Sequence, residues 1–356
     1  MKILFLSDTH LGFDLPLRPR VERPRRGRDF FANFRLALAP ALEGRVDLVV
    51  HGGDLFFRSR VPAWLAQEAF GPLLEIADRG VPVYLVPGNH ERSVLPRGLL
   101  ARHPLVRVFD QPSTYLIKKD NLTLALSGFP FERSGARENF PSLLKATGWR
   151  QAKAEAKILC LHHAVEGAVV GPGDFTFRRQ PDVIRAADIP RGLTAVLAGH
   201  IHRRQVLTRD LSGRPLAAPV FFSGSIERAS FAEKDETKGY FILDVGPAGR
   251  LENWSFKSLP ARPMAEVILP AASLDRDQVE ARLRAALSDL PGDGVVKIKV
   301  EGRPKPETLA VLSAASLRRL APPTMNVSVS WETFVFPGPK STGPSPEADG
   351  LPEIVG

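Results

Sequence analysis

The chain has 356 residues, which at roughly 150 per domain points to two or three domains. Hydrophobic residues make up 44% and charged residues 24%, which excludes wholesale disorder; a single cysteine, Cys160, excludes a disulfide framework and a thiolate zinc site. The 48 basic residues against 39 acidic ones give a net charge of +9, a balance that favours a polyanionic partner.

The N-terminal apolar run Ile3–Leu6 is too short for a signal peptide, and no run approaches a membrane span. With one cysteine, this leads to the expectation of a cytoplasmic protein with no membrane partner. Over the first 250 or so residues one phrase recurs: a short apolar run, then a polar cluster rich in Gly, Asp, Asn or His. Its instances are Lys2-Ile-Leu-Phe-Leu-Ser-Asp8-Thr-His10, then Val46-Asp-Leu-Val-Val-His-Gly-Gly-Asp54, then Val81-Pro-Val-Tyr-Leu-Val-Pro-Gly-Asn89-His90. Further on come Ile158-Leu-Cys-Leu-His162-His163 and Ala195-Val-Leu-Ala-Gly-His200-Ile-His202. Amphipathic stretches at 28–42 and 64–77 read as helices between them. Buried strands alternating with helices predict an α/β layered domain, in which ligands gather at the carboxyl ends of strands.

Near 250–263 the pattern changes. Residues 264–270, 274–290, 294–300 and 325–336 read as strand, helix, strand and strand, a small α+β unit. From Pro337 the tail carries five prolines and four glycines in its last twenty residues and reads as a disordered extension. The expected division is therefore 1–258, 259–336 and 337–356.

Singly, each polar cluster is weak, since a Gly-Asp pair is usually a turn and a lone His at a strand end is usually structural. As a set they read differently. Asp8, His10, Asp54, Asn89, His162, His200 and His202 all fall at strand ends, with His90 beside Asn89. Residues at i and i+2 just past a strand point the same way, so Asp8 with His10, and His200 with His202, can each grip one ion. Seven donors exceed the four of a tetrahedral zinc and suit two adjacent divalent ions; mixed imidazole and oxygen ligation favours Mn, Fe or Zn. Two cations on the order of 3.5–4 Å apart are suited to phosphate esters, because they activate a water and clamp the phosphoryl oxygens.

This ordered set resembles the calcineurin-like metallophosphoesterase superfamily over about residues 1–245: Asp-x-His, Gly-Asp, Gly-Asn-His-Glu, His, Gly-His-x-His. The resemblance implies a sandwich of two central sheets flanked by helices. It also implies that Asp8, His10 and His202 hold a first ion, that Asn89, His162 and His200 hold a second, and that Asp54 bridges them. His90 would then stabilise or protonate the leaving side, and Glu91 would support the ligands from behind. The His162-His163 pair leaves two candidates for one position, of which the family's usage favours His162.

Within that superfamily the chain is similar to SbcD-type double-strand-break repair nucleases. The closer match lies in Ser7-Asp-Thr-His-Leu-Gly12 with Arg28-Asp-Phe-Phe-Ala-Asn-Phe34, in Gly199-His-Ile-His-Arg-Arg-Gln205, and in Ser223-Gly-Ser-Ile-Glu-Arg228 leading to Glu233 and Lys238. Pro260-Ala-Arg-Pro263 resembles the entry to that family's small DNA-capping domain. The likeness implies a two-metal DNA phosphodiesterase, an exo- or endonuclease with Mn as the favoured ion, acting at the nucleoid. A small-molecule or cyclic-nucleotide phosphodiesterase is the alternative. Two features depart from the pattern. Phe57 stands where some relatives have a second active-site His, and the chain ends in a Pro/Gly tail where docking helices for an SbcC-type coiled-coil ATPase would lie. A homodimer through 64–77 and 96–101 is a further expectation. Arginines flank the ligand motifs, and Arg25, Arg26, Arg28, Arg58, Arg92 and Arg203 are the candidate DNA phosphate contacts.

Overall fold

A computed structural model describes residues 1–15, 26–91, 95 and 103–331. Two six-stranded mixed sheets face each other. The first contains β1 (Lys2–Leu6), β2 (Leu48–His51), β3 (Val83–Leu85) and β4 (Val106–Val108), all parallel, extended by antiparallel β13 (Gly239–Val245) and β14 (Leu251–Ser258). The second contains β5 (Ser113–Lys119), β6 (Leu122–Gly128), β7 (Ala156–Leu161), β10 (Ala195–Ala198), β11 (Gln205–Arg209) and β12 (Pro215–Phe222). Its inner strands β6, β7, β10 and β12 run parallel, and β5 and β11 close its edges antiparallel. A two-stranded hairpin, β8 (Val169–Val170) and β9 (Phe175–Thr176), precedes β10.

Strand alternation sends each apolar run into two different cores. Ile3 and Phe5 of β1 point between the sheets, where they meet Val50, Leu126, Ile158, Cys160, Leu197 and Phe221. Leu4 and Leu6 point outward against α1 (Gly27–Leu42) and α2 (Ala63–Asp78), packing with Phe30, Phe34, Phe70 and Leu73. On the far side, Leu159, Leu161 and Val196 pack against Phe140 and Leu144 of α3 (Ala136–Ala146). The result is a helix–sheet–sheet–helix sandwich, and full burial of each such side chain contributes about 1.5–3 kcal/mol. The expected α/β layering and both expected helices are present, displaced by a residue at their ends. The antiparallel outer strands β5, β11, β13 and β14 had no counterpart in the sequence reading.

Beyond β14 lies a separate three-stranded parallel sheet, ordered β15 (Met264–Pro270), β16 (Val295–Glu301), β17 (Asn326–Trp331). Its apolar face carries Leu269, Ile298 and Val300 against Val279 and Leu283 of α4 (Arg276–Ser288). Asp275 starts that helix with a capping box, accepting from the Gln278 N–H at 2.9 Å while the Gln278 side chain accepts from the Asp275 N–H at 3.0 Å. Two short helices missed from sequence, α5 (Pro306–Leu309) and α6 (Ala314–Leu320), complete the crossover between β16 and β17. Contacts hold the segment leading into this unit: Arg262 Nε lies 3.2 Å from Asp29 Oδ2 of α1, and Arg228, between β12 and β13, donates to the Arg262 carbonyl at 3.2 Å. The Pro/Gly tail lies outside the described residues.

Phe241 is buried between the sheets, with its ring 5.4 Å from Phe221 and 5.7 Å from Trp254. Phe241→Ala is expected to lower unfolding stability by about 3–5 kcal/mol, read from urea denaturation. Leu36→Ala, on an exposed face of α1, should stay within about 0.5 kcal/mol.

Candidate metal centre

Parallel strands of both sheets end on the same side of the sandwich, and five of those ends deliver polar side chains. Asp8 and His10 follow β1, Asp54 follows β2, Asn89 and His90 follow β3, His162 follows β7, and His200 and His202 follow β10. Backbone hydrogen bonds lock the first two loops together: Asp8 N–H donates to the Gly53 carbonyl at 2.9 Å and His10 N–H to the Asp54 carbonyl at 3.0 Å. Four of these residues hold a left-handed backbone that L-residues avoid: Asp8 (φ 52°), His10 (φ 42°), Asp54 (φ 54°) and His200 (φ 80°). Such strain of order 1–3 kcal/mol per residue persists where the surroundings over-determine the conformation. Gly88 is required by proximity, because a Cβ there would sit 2.1 Å from Asp54 Oδ1.

The side chains converge. His10 Nε2 lies 2.9 Å from His202 Nε2, and His202 Nε2 lies 4.0 Å from Asp8 Oδ1. Asn89 Oδ1 lies 3.0 Å from His162 Nε2 and 3.1 Å from His200 Nδ1. Asp54 Oδ2 stands between the two groups, 3.3 Å from His162 Nε2, 3.8 Å from His90 Nε2 and 3.9 Å from His10 Nε2. All seven expected donors and His90 therefore share one region. The i, i+2 expectation fails for His200 and His202, which go to different groups; the left-handed turn at His200 makes the two side chains diverge.

Strand parity separates His162 from His163. His162 continues the row of Ile158 and Cys160, which faces between the sheets. His163 continues the row of Leu159 and Leu161, stacks on Phe131 at 4.8 Å and accepts the Glu132 N–H at 2.9 Å. That alternation was readable from the sequence.

Burial and charge set the protonation states. Burial pushes the His200 imidazole down to about 3, and burial with the neighbouring His202 pushes His10 well below the usual range, so both are neutral at pH 7. His162 goes the other way: burial opposes its charge, yet Asp54 and Asp8 raise it to about 9. Burial alone would raise Asp54, but His162, His10 and His90 hold it well below the carboxylate range. Asp8 is raised, by burial first.

A second layer orients the first. His162 Nδ1 faces the Gly52 carbonyl at 2.8 Å, His90 Nδ1 faces the Phe57 carbonyl at 2.8 Å, and His202 Nδ1 faces Glu233 Oε1 at 3.2 Å. Each contact leaves the Nε2 atom turned into the site. Glu91 accepts from Phe56 N–H and Gly88 N–H, both at 2.7 Å, and so braces the Asp54 loop against the Asn89 loop. Burial, and then Asp54, raise the Glu91 carboxyl to about 8. His51, unnoticed in the sequence, is buried behind the site with its Nε2 3.1 Å from Thr9 Oγ1.

The donor set fits divalent cations. Among the described residues, Asp8/His10/His202, His10/Asp54/His90 and Asp8/Asp54/His162 each bring ligand atoms within 4.8 Å of one another. Two imidazole Nε2 atoms facing each other at 2.9 Å beside a carboxylate, with His10 Nδ1 buried and unpartnered, is an arrangement of lone pairs that a cation would satisfy.

The candidate phosphate arginines are placed less uniformly. Arg26 is buried and donates to the Arg228 carbonyl, and Arg28 pairs with Glu68 at 2.8 Å. Arg203 is held by Asp174 at 2.5 Å and Glu236 at 3.0 Å. Arg58 is exposed, its guanidinium 5.8 Å from the centre of the Phe57 ring, and Arg25 and Arg92 lie outside the described residues.

Residues 1–204 match the calcineurin-like phosphoesterase family. The chain is also similar to proteins named DNA double-strand break repair protein Mre11. It is 25% identical to that of Saccharolobus solfataricus over 79% of this chain, 26% to that of Methanocaldococcus jannaschii over 68%, and 37% to that of Haloferax volcanii over 88%. It spans 70%, 62% and 64% of those relatives' own lengths. With the family match covering more than half of its length, the chain belongs to the calcineurin-like phosphoesterase family, hydrolases that act on phosphoester bonds.

Proposed function

We propose that this protein is a manganese-preferring DNA phosphodiesterase of the SbcD/Mre11 type that trims or cuts DNA ends. The observation that carries this reading is the convergence of seven oxygen and nitrogen donors, Asp54 among them, in a chain whose relatives are named for DNA double-strand break repair. Asp8, His10 and His202 would hold one ion, Asn89, His162 and His200 the other, and Asp54 would touch both. Bound there, two divalent ions would supply Lewis-acid stabilisation of the phosphoryl oxygens and an acidified water. The chain's own groups then have distinct tasks. His90, its Nδ1 committed to the Phe57 carbonyl, presents Nε2 to the phosphoryl group or the departing oxygen. Asp54, held as a carboxylate, fixes the spacing of the two donor groups, and its Oδ1 accepts the His90 N–H at 3.0 Å.

In this reading residues 1–258 form the phosphoesterase domain and 259–336 a cap that grips the duplex. Arg58, with Arg25 and Arg92, would meet DNA phosphates, and the exposed Arg28 would do so from its pairing with Glu68; Arg26 and Arg203 are held by protein groups and would serve as supports. A homodimer through α2 and the segment 96–101, the latter outside the described residues, belongs to the same reading, as does a nucleoid location. No described helix is long and apolar enough to cross a membrane.

End-labelled linear duplex and single strands should be cut with Mn and spared with EDTA. His90→Ala should lower that rate by about 10²–10³ while two ions still bind, measured by calorimetry. Turnover of cyclic nucleotides or small phosphodiesters alone, with DNA untouched at every salt concentration, would favour the small-molecule reading instead. If phosphates dominate the contact, DNA affinity measured by fluorescence anisotropy should fall steeply between low and high salt; a flat response counts against a DNA role.

His162 offers a pH test. Its raised value, about 9, means it carries a proton in the metal-free protein across neutral pH, whereas ligation needs the bare Nε2. Metal loading should therefore release protons, and affinity should rise with pH through neutrality and level off above about 9. Titrating Mn at pH 7 in two buffers of different ionisation enthalpy reads this directly. Identical heats in both buffers would contradict it.

A further inference from the structure

Glu233, in a one-turn 3₁₀ helix at Phe231–Glu233, lies behind the His202 ring, and its carboxylate is surrounded by donors. Oε1 meets His202 Nδ1 and the Ser230 hydroxyl, each at 3.2 Å. Oε2 meets the Lys238 ammonium at 2.6 Å, with the Ser225 hydroxyl and the Ala229 N–H each at 3.4 Å. Lys238 is fully buried and also donates to the His202 carbonyl at 2.9 Å and to Glu236 at 2.8 Å. His202 is thus held by its ring through Glu233 and by its carbonyl through Lys238 and the Ser225 N–H, the latter at 3.1 Å.

Carboxylates are themselves ordinary ligands of divalent ions. Here the Glu233 oxygens are saturated by donors, and the imidazole stands between them and the site. We propose that Glu233 is the positioning residue for His202, committing its Nδ1–H outward so that the Nε2 lone pair faces the first ion, while Lys238 keeps Glu233 from being drawn in as a competing ligand. The inference rests on the two-ion reading above, and it assigns roles to a Glu and a Lys that carried only a resemblance in the sequence.

The physical reason is tautomer control. A neutral imidazole carries one proton, and a carboxylate at Nδ1 decides which nitrogen holds it and raises the basicity of the other. Removing such a partner typically weakens metal affinity by about 10–100-fold at the ion concerned. The far ion, held by Asn89, His162 and His200, has no contact with Glu233 and should be spared.

Two variants keep the test clear of folding failure. Glu233→Gln retains an acceptor oxygen. The double variant Glu233→Ala with Lys238→Met removes both charges together, so no buried ammonium loses its main partner. Mn affinity and stoichiometry would be measured by calorimetry, melting temperature by circular dichroism, and the His202 tautomer by ¹⁵N NMR of the metal-free protein. The expected result is about 10–100-fold weaker binding of one ion and less than about threefold change in the other. Glu233→Gln should fall between wild type and the double variant, and the Nδ1–H tautomer should be lost only in the latter. Equal weakening of both ions alongside a lower melting temperature would mean Glu233 is merely structural. Unchanged affinity for both ions would overturn the proposal outright. Fewer than two ions on the wild-type protein would instead sink the two-ion reading, and this inference with it.

Discussion

The structure depends on crowding two carboxylates and five imidazoles into one buried end of a sandwich. Asp54 is the centre of that crowd, with three histidine nitrogens within 3.9 Å of a single oxygen. Desolvating a charge costs several kcal/mol unless partners compensate, so the metal-free protein compensates by protonating His162 beside Asp54. The four left-handed backbones at Asp8, His10, Asp54 and His200 add conformational cost. Three apolar layers, between and outside the sheets, offset both.

Those layers also decide where the crowd can form. Alternation directs every second side chain of β1, β2, β7 and β10 between the sheets, which leaves the carboxyl ends of both sheets opening onto a common space. The loops that cross it are cross-braced rather than rigid in themselves. Glu91 ties the Asp54 loop to the Gly88–Asn89 turn, and the Asp8 carboxylate accepts the His200 N–H at 3.0 Å across from the other sheet.

Much of this was legible in the sequence, for physical reasons that can be named. Each donor follows an apolar run, and parallel strands put such positions at one end of a sheet whatever the rest of the chain does. The parity of Ile158, Cys160 and His162 even separates His162 from its neighbour. What stayed hidden depends on contacts between distant segments. The function of Glu233 follows from meeting His202, 31 residues earlier in the chain, and the 3₁₀ turn that carries it has no periodic signature. The outer strands show no clean alternation because β13 is buried along nearly its whole length and β14 is exposed or half-buried on both faces, and the short helices α5 and α6 fall below the length at which periodicity speaks. The grouping of His200 with Asn89 came from the family resemblance and not from the i, i+2 spacing, because the left-handed backbone at His200 is an angle that no residue type announces.

The neighbour of His90 carries a consequence of its own. Phe57 departs from the residue type that some relatives place at this position, yet it aims His90 through its main-chain oxygen. Every amino acid owns that oxygen. Exchange of the side chain can therefore remodel the wall beside His90, here an aromatic surface 5.6 Å from its ring, without loosening the imidazole's orientation. Position 57 is a place where the surface beside the candidate ligand cluster can change while the imidazole next to it keeps its aim.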